Sequence, residues 1–417
     1  MRKARAIVGI DCGEQRHRFV MIDENGERVA SHWVENDLGK IFQAFDELGS
    51  LSKTERLEVV TESIGSLGAM VSQAVRGRGD ELFVVSTKAL RHYRDLEGQP
   101  HKSDDRDAYL AARMQLFGME GVRTPAPASE EEQALARLIR LRFRLMDQKK
   151  ALGLRLRSRL LELAPVMASK DWEGPRHSSR AMVAILQRWP GLVGLERAHR
   201  KSIEELLRKV TRNGDPCVKM AKHLREAAKT IALEGLAREV LTMEMTILVA
   251  QFEANHQQLA QVRKRESELV DAHPVGQRLL TMPSVGYRTA AVLLAESLPQ
   301  ARVRSEAQLA TYSGLTPLSR QSGNSSRSRL GRGVNRFLAS AHYMSAVNAC
   351  TRSPIDKSYH DKKRKDFKGH PAEFKKATIA LARQRHKVIY RILVKGEIYD
   401  ASRLAASTVE RARKTAA

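Results

Sequence analysis

An α/β domain, a long helical middle and a mainly helical C-terminal domain are what this 417-residue sequence predicts. Three observations carry that prediction. Short β-rich runs alternate with helical stretches as far as about Arg123. A Pro-rich break, Thr124-Pro-Ala-Pro-Ala-Ser129, ends the pattern. Beyond it helical sequence dominates until a Ser-, Gly- and Arg-rich stretch that begins near Gly276 and then turns helical. The expected division is 1–123, 124–273 and 274–417.

Within the first segment, strands are expected at Ala6–Asp11, Arg18–Asp23, Arg28–Val34, Leu57–Glu62 and Leu82–Ser86. Helices are expected at Leu38–Leu48, Ser66–Val75 and Asp104–Leu116. The order βββαβαβα is that of a ribonuclease-H-like fold, with acids at neighbouring strand ends and on the last helix. Asp11 closes the apolar run Ala6-Ile-Val-Gly-Ile10, and Glu62 closes Leu57-Glu-Val-Val-Thr61. Asp104 and Asp107 lie three apart, on one face of a helix. Four carboxylates gathered at one point repel each other unless divalent cations sit among them, and hard Mg²⁺ suits oxygen ligands. Such sites perform phosphodiester chemistry, so the reading is a metal-dependent nucleic-acid enzyme. Asp105 faces about 100° away from Asp104 and is left outside the set.

Charge agrees with that reading. Lys and Arg number 72 against 48 Asp and Glu, for a formal net charge of +24, which calls for a polyanionic partner. Nucleic acid is the better fit than an anionic membrane, because no apolar run approaches spanning length and no secretory signal opens the chain. Cys12, Cys217 and Cys350 form no C-x-x-C pair, so a disulfide framework or structural zinc is not expected. A reducing cytoplasm fits. Aromatics at 5% argue against binding single strands by many stacking platforms.

In the middle segment, Ser129-Glu-Glu-Glu132 reads as an N-cap with acids in the first turn of a helix reaching about Leu163. A second helical run is expected from about Pro216 to His273. In it Leu236, Val240, Met243 and Ile247 recur at four-three-four spacing. That pattern suits a coiled-coil seam or an antiparallel hairpin within one subunit. Lys170–Gly194, with Trp172 and Trp189, is expected to be a cap or loop.

The last segment carries two more motifs. Met282-Pro-Ser-Val-Gly286-Tyr-Arg-Thr-Ala290 resembles the second half of a helix-hairpin-helix, with Ser284 where a first glycine would be usual. It suits a non-specific contact to a DNA backbone. Tyr312-Ser-Gly-Leu-Thr-Pro317 precedes Arg320-Gln-Ser322-Gly323, with Ser325, Ser326, Arg327, Ser328, Arg329, Arg332 and Gly333 close behind. This reads as a solvated, phosphate-contacting loop or, more sharply, as a serine that attacks a phosphodiester between arginines that clamp it. The basic stretch from Lys357 to Lys376, with Tyr359 and Phe367 interleaved, is expected to face nucleic acid.

Taken together, Val8-Gly-Ile-Asp11, Thr61-Glu62-Ser63, Lys102-Ser-Asp104-Asp-Arg-Asp107-Ala108, Pro283-x-Val-Gly286, Tyr312-x-Gly314-Leu-Thr-Pro317, Gln321-Ser322-Gly323 and Gly333 resemble a transposase of the insertion sequence 110 family over nearly the whole chain. The stretch from Ser353-Pro354 through Lys368-Gly369 to Leu393 and Tyr399-Asp400 matches in character. The resemblance implies a RuvC-like domain of DEDD type, a helical linker, and a C-terminal transposase domain carrying a catalytic serine. It implies Mg²⁺ on Asp11, Glu62, Asp104 and Asp107, and Ser322 as nucleophile through a covalent phosphoserine link. It also implies double-stranded donor and target DNA, a structured noncoding guide RNA, and a homo-oligomer in which catalytic domains meet across subunits. The chain departs from the pattern at Val334 and Leu338, where Gly and Arg are frequent, and at His370, where Lys is usual. A RuvC-like nuclease using metal-activated water, and a non-catalytic nucleic-acid-binding protein, are the competing classes; the intact acid set counts against the latter.

Overall fold

The computed structural model describes residues 5–52, 54, 56–65, 67–98, 101, 103–211, 215–316, 318–322, 325–329, 331 and 333–400. They fall into two compact units, 1–126 and 127–417.

The first unit is built on a mixed sheet. Strands β1 (Ile7–Cys12), β2 (Arg16–Ile22) and β3 (Arg28–Glu35) form an antiparallel meander. After α1 (Leu38–Ser52), β4 (Glu58–Thr61) joins β1 in parallel. After α2 (Ala69–Arg78), β5 (Glu81–Val85) joins β4 in parallel. Helices α3 (Thr87–Leu96) and α4 (Asp104–Leu116) follow, and β6 (Val122–Arg123) closes the edge antiparallel to β5. The order across the sheet is β3-β2-β1-β4-β5-β6.

Side chains on β1 alternate between two cores, as a pleated strand covered on both faces requires. Val8 and Ile10 pack with Ile41 and Phe45 of α1 and Val71 and Val75 of α2. Ile7 packs with Leu90 of α3 and Ala108, Leu110 and Met114 of α4. This two-sided burial is why the strands read as apolar runs. Gly9 sits where α4 crosses β1: a β-carbon there would stand 1.9 Å from the Ala108 carbonyl oxygen. Only glycine allows that approach, and it fixes the start of α4 over the end of β1.

The second unit opens with α5 (Glu130–Leu163), started by a capping box. Ser129 Oγ accepts from the Glu132 N–H, and Glu132 accepts from the Ser129 N–H at 2.9 Å, an arrangement that stabilises a helix end by about 1 kcal/mol. Then come α6 (Arg180–Arg188), α7 (Arg200–Val210), α8 (Asp215–Lys229) and α9 (Gly235–Ala272). The second helical run is thus two helices, divided at 230–234, with Gly235 at a positive φ of 62°. Arg142 meets Glu266, Leu145 meets Asn255, Lys149 meets His256 and Arg159 meets Glu244. From Arg142–Glu266 at one end to Arg159–Glu244 at the other, position numbers rise on α5 and fall on α9, so the two helices are antiparallel. At 34 and 38 residues they span about 51 and 57 Å.

Around one end of this pair, α6, α7 and α8 form a core with Leu156, Leu160, Phe252 and Met245. The stretch expected to be a cap or loop belongs to it: Lys170–Gly194 contains α6, and Trp172 and Trp189 pack against this core. α9 faces α5 through Phe252, Leu259 and Val262. The four-three-four stripe lies elsewhere on α9: Leu236 is 75% exposed, and Val240, Met243 and Ile247 are at least half exposed. The intramolecular hairpin therefore forms without that stripe.

The other end of the pair enters a core with α10 (Pro274–Leu280), α11 (Tyr287–Val292), a π-helical turn (Leu293–Ser297), α12 (Leu298–Ala301) and α13 (Glu306–Tyr312). Past a hairpin of β7 (Leu318–Ser322) and β8 (Ser325–Arg329), α14 (Arg336–Arg352), α15 (Pro354–Asp366) and α16 (Glu373–Lys395) complete the unit. The Ser/Arg-rich stretch is therefore paired backbone over 318–322 and 325–329, not an irregular loop.

Candidate functional site

In the parallel register of β1 and β4, Ile10 lies beside Thr61. Asp11 and Glu62, the next residue of each, therefore leave neighbouring strands at the same sheet end. Both bear on the Cys12 thiol: burial pushes it up to about 11, with the negative charges of Asp11 and Glu62 adding to the rise against a hydrogen bond with Thr61.

Helix α4 runs against β1 and brings its first turn to that end. Its far end is placed by Arg5 donating to the Leu116 carbonyl at 3.4 Å and by Gln115 donating to Glu58 at 2.7 Å. Its near end is placed by Asp105, which accepts from Arg18 at 2.8 Å, and Arg18 is the cross-strand partner of Asp11. Ser103 caps the helix, accepting from the Arg106 N–H at 3.2 Å. Acids in a first turn are favoured by the positive end of the helix, and this turn carries Asp104, Asp105 and Asp107.

The three acids differ in partners. Asp105 accepts from Arg18, Arg28 and Ser31. Burial raises its pKa, yet these hydrogen bonds outweigh burial and hold it below the usual carboxylate range. It ties α4 to β2 and β3. Asp104 is exposed at the helix start. Asp107 is buried, and both its oxygens accept from Arg94 Nη1, at 2.6 and 2.8 Å. Arg94 lies on α3, a helix the sequence reading did not foresee. The available signal was Ser86 at an N-cap position before Thr87, with Leu90 as the buried anchor.

Among the described residues, no three His, Cys, Asp or Glu stand close enough, as placed, to hold one ion together. The fold brings the four acids to one end of the sheet, and Arg94 occupies Asp107 there. In chemistry the set fits a hard divalent cation, being all oxygen donors.

Ser322 is the last residue of β7 and pairs with Ser325 of β8; Gly323, Asn324 and Pro317 lie outside the described residues. The stem of the hairpin is closed by the Asn335 N–H donating to the Tyr312 carbonyl at 2.8 Å. The Asn335 side chain accepts from the Phe337 and Leu338 N–H groups, capping α14. It donates to Glu296 at 2.7 Å and to Tyr312 Oη at 3.2 Å. Glu296 sits in the π-helical turn and also pairs with Arg140 of α5 at 3.1 Å. π-Turns are frequent at functional sites. Neither Glu296 nor Asn335 was singled out from sequence, because their link depends on the π-turn.

Two regions of the chain match transposase families. A profile of IS110 transposases of DEDD type covers residues 8–165, and that of the transposase IS116/IS110/IS902 family covers 276–361. The chain belongs to the IS110 family of transposases. A 43.6 kDa protein of insertion element IS110 from Streptomyces coelicolor is 27% identical over 94% of this chain and 95% of its own length. A 42 kDa protein of insertion element IS900 from Mycobacterium paratuberculosis is 23% identical over 94% and 96%. The candidate transposase named for the IS117 mini-circle of Streptomyces coelicolor is 25% identical over 87% and 89%. Transposases recombine DNA, so the protein is an enzyme acting on DNA, and DEDD transposases generally use divalent metal. Among the described residues no helix is long and apolar enough to cross a membrane.

In this IS110-family transposase the turn after α10 has one strained residue. Ser284, standing where glycine would be usual, has φ of 66°, a left-handed conformation that costs a non-glycine residue about 1 kcal/mol. Its hydroxyl is buried without a hydrogen-bond partner among the described residues. Ser284→Gly is expected to raise stability by about 1 kcal/mol, read as a higher urea midpoint; an unchanged or lower midpoint would refute the strain. The Arg94–Asp107 pair gives a second expectation. Both side chains are largely buried, at 12% and 6% exposure. Arg94→Met leaves a buried carboxylate unpaired and should lower stability by about 3 kcal/mol in metal-free buffer. A loss below about 1 kcal/mol would give the pair no more weight than a surface ion pair.

Proposed function

We propose that the protein is an RNA-guided DNA recombinase whose first unit is a ribonuclease-H-like (RuvC-like) domain holding Mg²⁺ on Asp11, Glu62, Asp104 and Asp107, and whose second unit supplies Ser322 as nucleophile. The observation that carries this reading is the convergence of β1, β4 and the first turn of α4 at one sheet end. A pure DNA-binding protein has no use for acids at two neighbouring strand ends and in the helix turn brought to the same sheet end. When bound, Mg²⁺ would neutralise phosphate charge and polarise the oxygens that change partners. With an ion bound, Asp107 would serve it as a ligand in place of pairing with Arg94, and the Arg94 guanidinium would then be available to a phosphate.

Chemically, Ser322 Oγ attacks phosphorus and loses its proton. The bond from phosphorus to a DNA hydroxyl oxygen breaks, and that hydroxyl takes up a proton. A hydroxyl of a second strand then attacks the phosphoserine ester and releases Ser322. The number of phosphoester bonds is unchanged throughout, so the exchange needs no external energy source. The guide RNA, like the donor and target duplexes, follows from the family resemblance, and the exposed cations of α15 suit such partners. The place of action is the cytoplasmic nucleoid.

A homo-oligomer is supported by the uncovered stripe Leu236, Val240, Met243 and Ile247 on α9, whose spacing is that of a coiled-coil seam. Val240→Glu with Met243→Glu should lower the sedimenting mass at micromolar concentration; an unchanged mass would remove the seam from the interface. The function itself is tested with purified protein, guide RNA, and donor and target duplexes. Exchanged strands and protein-linked DNA should form, and EDTA should block both. Cleavage with no protein-linked DNA at any time would leave a hydrolytic nuclease instead.

A further inference from the structure

The paired helices α5 and α9 carry a groove that the reaction above does not use. It is open, about 560 Å³ in volume, and bounded by α5, α9 and the segment that includes Arg176. Lys149, Lys150, Arg157, Arg176 and Arg263 line it, and no carboxylate does. Elsewhere on the same two helices several arginines are paired: Arg142 with Glu266, Arg159 with Glu162 and Glu244, and Arg265 with Glu268. Inside the groove the cations act on each other. The Lys149 pKa is lowered by burial first, then by Arg263 and the nearby Arg180, which together outweigh the opposing charge of Glu253. The neighbouring His256 is lowered by burial, Lys149 and Arg180.

The shape is built in. A β-carbon at Gly153 would stand 2.8 Å from Ser178 Cβ, so the segment carrying Arg176 is laid directly on α5. Leu154, Phe252 and Leu259 give it an apolar part to its lining. Such a surface offers positive charge and carbon contact, with few groups to read base edges. From Lys150 to Arg157 the cations spread over about 11 Å of α5, the span of about three successive phosphates of one strand. A small anion would engage one or two of these charges; an extended backbone engages the row.

We propose that this groove holds the sugar-phosphate backbone of duplex DNA, without sequence preference. Lys149, Lys150 and Arg157 lie inside the first family-matched region, whereas Arg176, Phe252 and Arg263 fall between the two regions. The proposal goes beyond the strand-exchange reading and depends on neither the acids nor Ser322.

The test measures binding of the full chain to a fluorescent 30-base-pair duplex and to an RNA hairpin of equal charge across a salt series. Lys150→Ala/Arg157→Ala/Arg176→Ala is compared with Lys201→Ala/Arg208→Ala/Lys209→Ala, which removes the same charge from exposed positions of α7. The groove variant should lose at least about tenfold in duplex affinity at 150 mM salt. Its slope of log K against log salt should fall by about 2 to 3, as loss of three phosphate contacts requires. The α7 variant should change less than about twofold. Equal losses in both variants, or none in the groove variant, would overturn the proposal. A loss confined to the RNA hairpin would also overturn it, by naming a different occupant. A benzophenone side chain in place of Leu154 should cross-link to the duplex; cross-linking to a second protein chain would make the groove an interface between copies.

Discussion

Replacing Asp11 by Asn, or Glu62 by Gln, is expected to abolish strand exchange, by about a thousandfold or more, while the protein remains folded. Each change removes one negative charge from the sheet end at nearly constant shape. Both positions are half-buried at a strand terminus, so the cores on either face of β1 are untouched. A metal site in phosphoryl chemistry contributes several kcal/mol to transition-state stabilisation, and each 1.4 kcal/mol is about a factor of ten in rate. The same variants should weaken Mg²⁺ binding to the protein without DNA, followed by calorimetric titration, with urea midpoints near that of the parent. Full exchange in either variant, or exchange that persists in EDTA, would sink the assignment of the acids.

Ser322→Ala should have an effect as large, with a different signature. A suicide duplex nicked beside the cleavage point should trap a protein–DNA adduct that survives denaturant, and the tryptic peptide containing Ser322 should carry the nucleotide mass. Alanine removes the attacking oxygen and leaves the strand position intact, so adduct and recombination should vanish together. Ser325→Ala and Ser326→Ala should keep the adduct. Ser325 is the cross-strand partner of Ser322 in the β7–β8 hairpin, which makes it the sharpest control. An adduct on Ser325 or Ser326 would keep the mechanism and move the nucleophile. DNA cleavage by Ser322→Ala, with none by the Asp11 and Glu62 variants, would establish hydrolysis instead.

Strands β1 and β4 were legible because burial on both faces writes an unbroken apolar run. Helix α4 was legible because its cap, first-turn acids and apolar spacing agree. The adjacency of Asp11 and Glu62 was not itself legible; it comes from the parallel register, which sequence leaves open. Helix α3 escaped notice because Leu90 is its one buried residue among many charges, and with it went Arg94. The paired strands at 318–322 and 325–329 escaped for a related reason. Polar residues fill both strands after Leu318, so no alternation of polar and apolar residues marks them. The division between α8 and α9 was missed because residues 230–234 contain neither Gly nor Pro, and Gly235 follows the break.

The core shared by α5 and α16 has a consequence for how the polypeptide is made. Leu135 and Ile139 pack in one cluster with Ile389, Ile392 and Leu393, some 250 residues later. The first unit, by contrast, contains every strand of its sheet by residue 123. During synthesis from the N-terminus, domains generally fold as units in order. The acid-bearing sheet is therefore finished early, whereas the first helix of the second unit waits for the last one to emerge. A ribosome that stops before α16 releases a chain with a folded sheet and an unfinished second core, its apolar residues open to chaperones and proteases. The second unit's core thus closes only once α16 has been made.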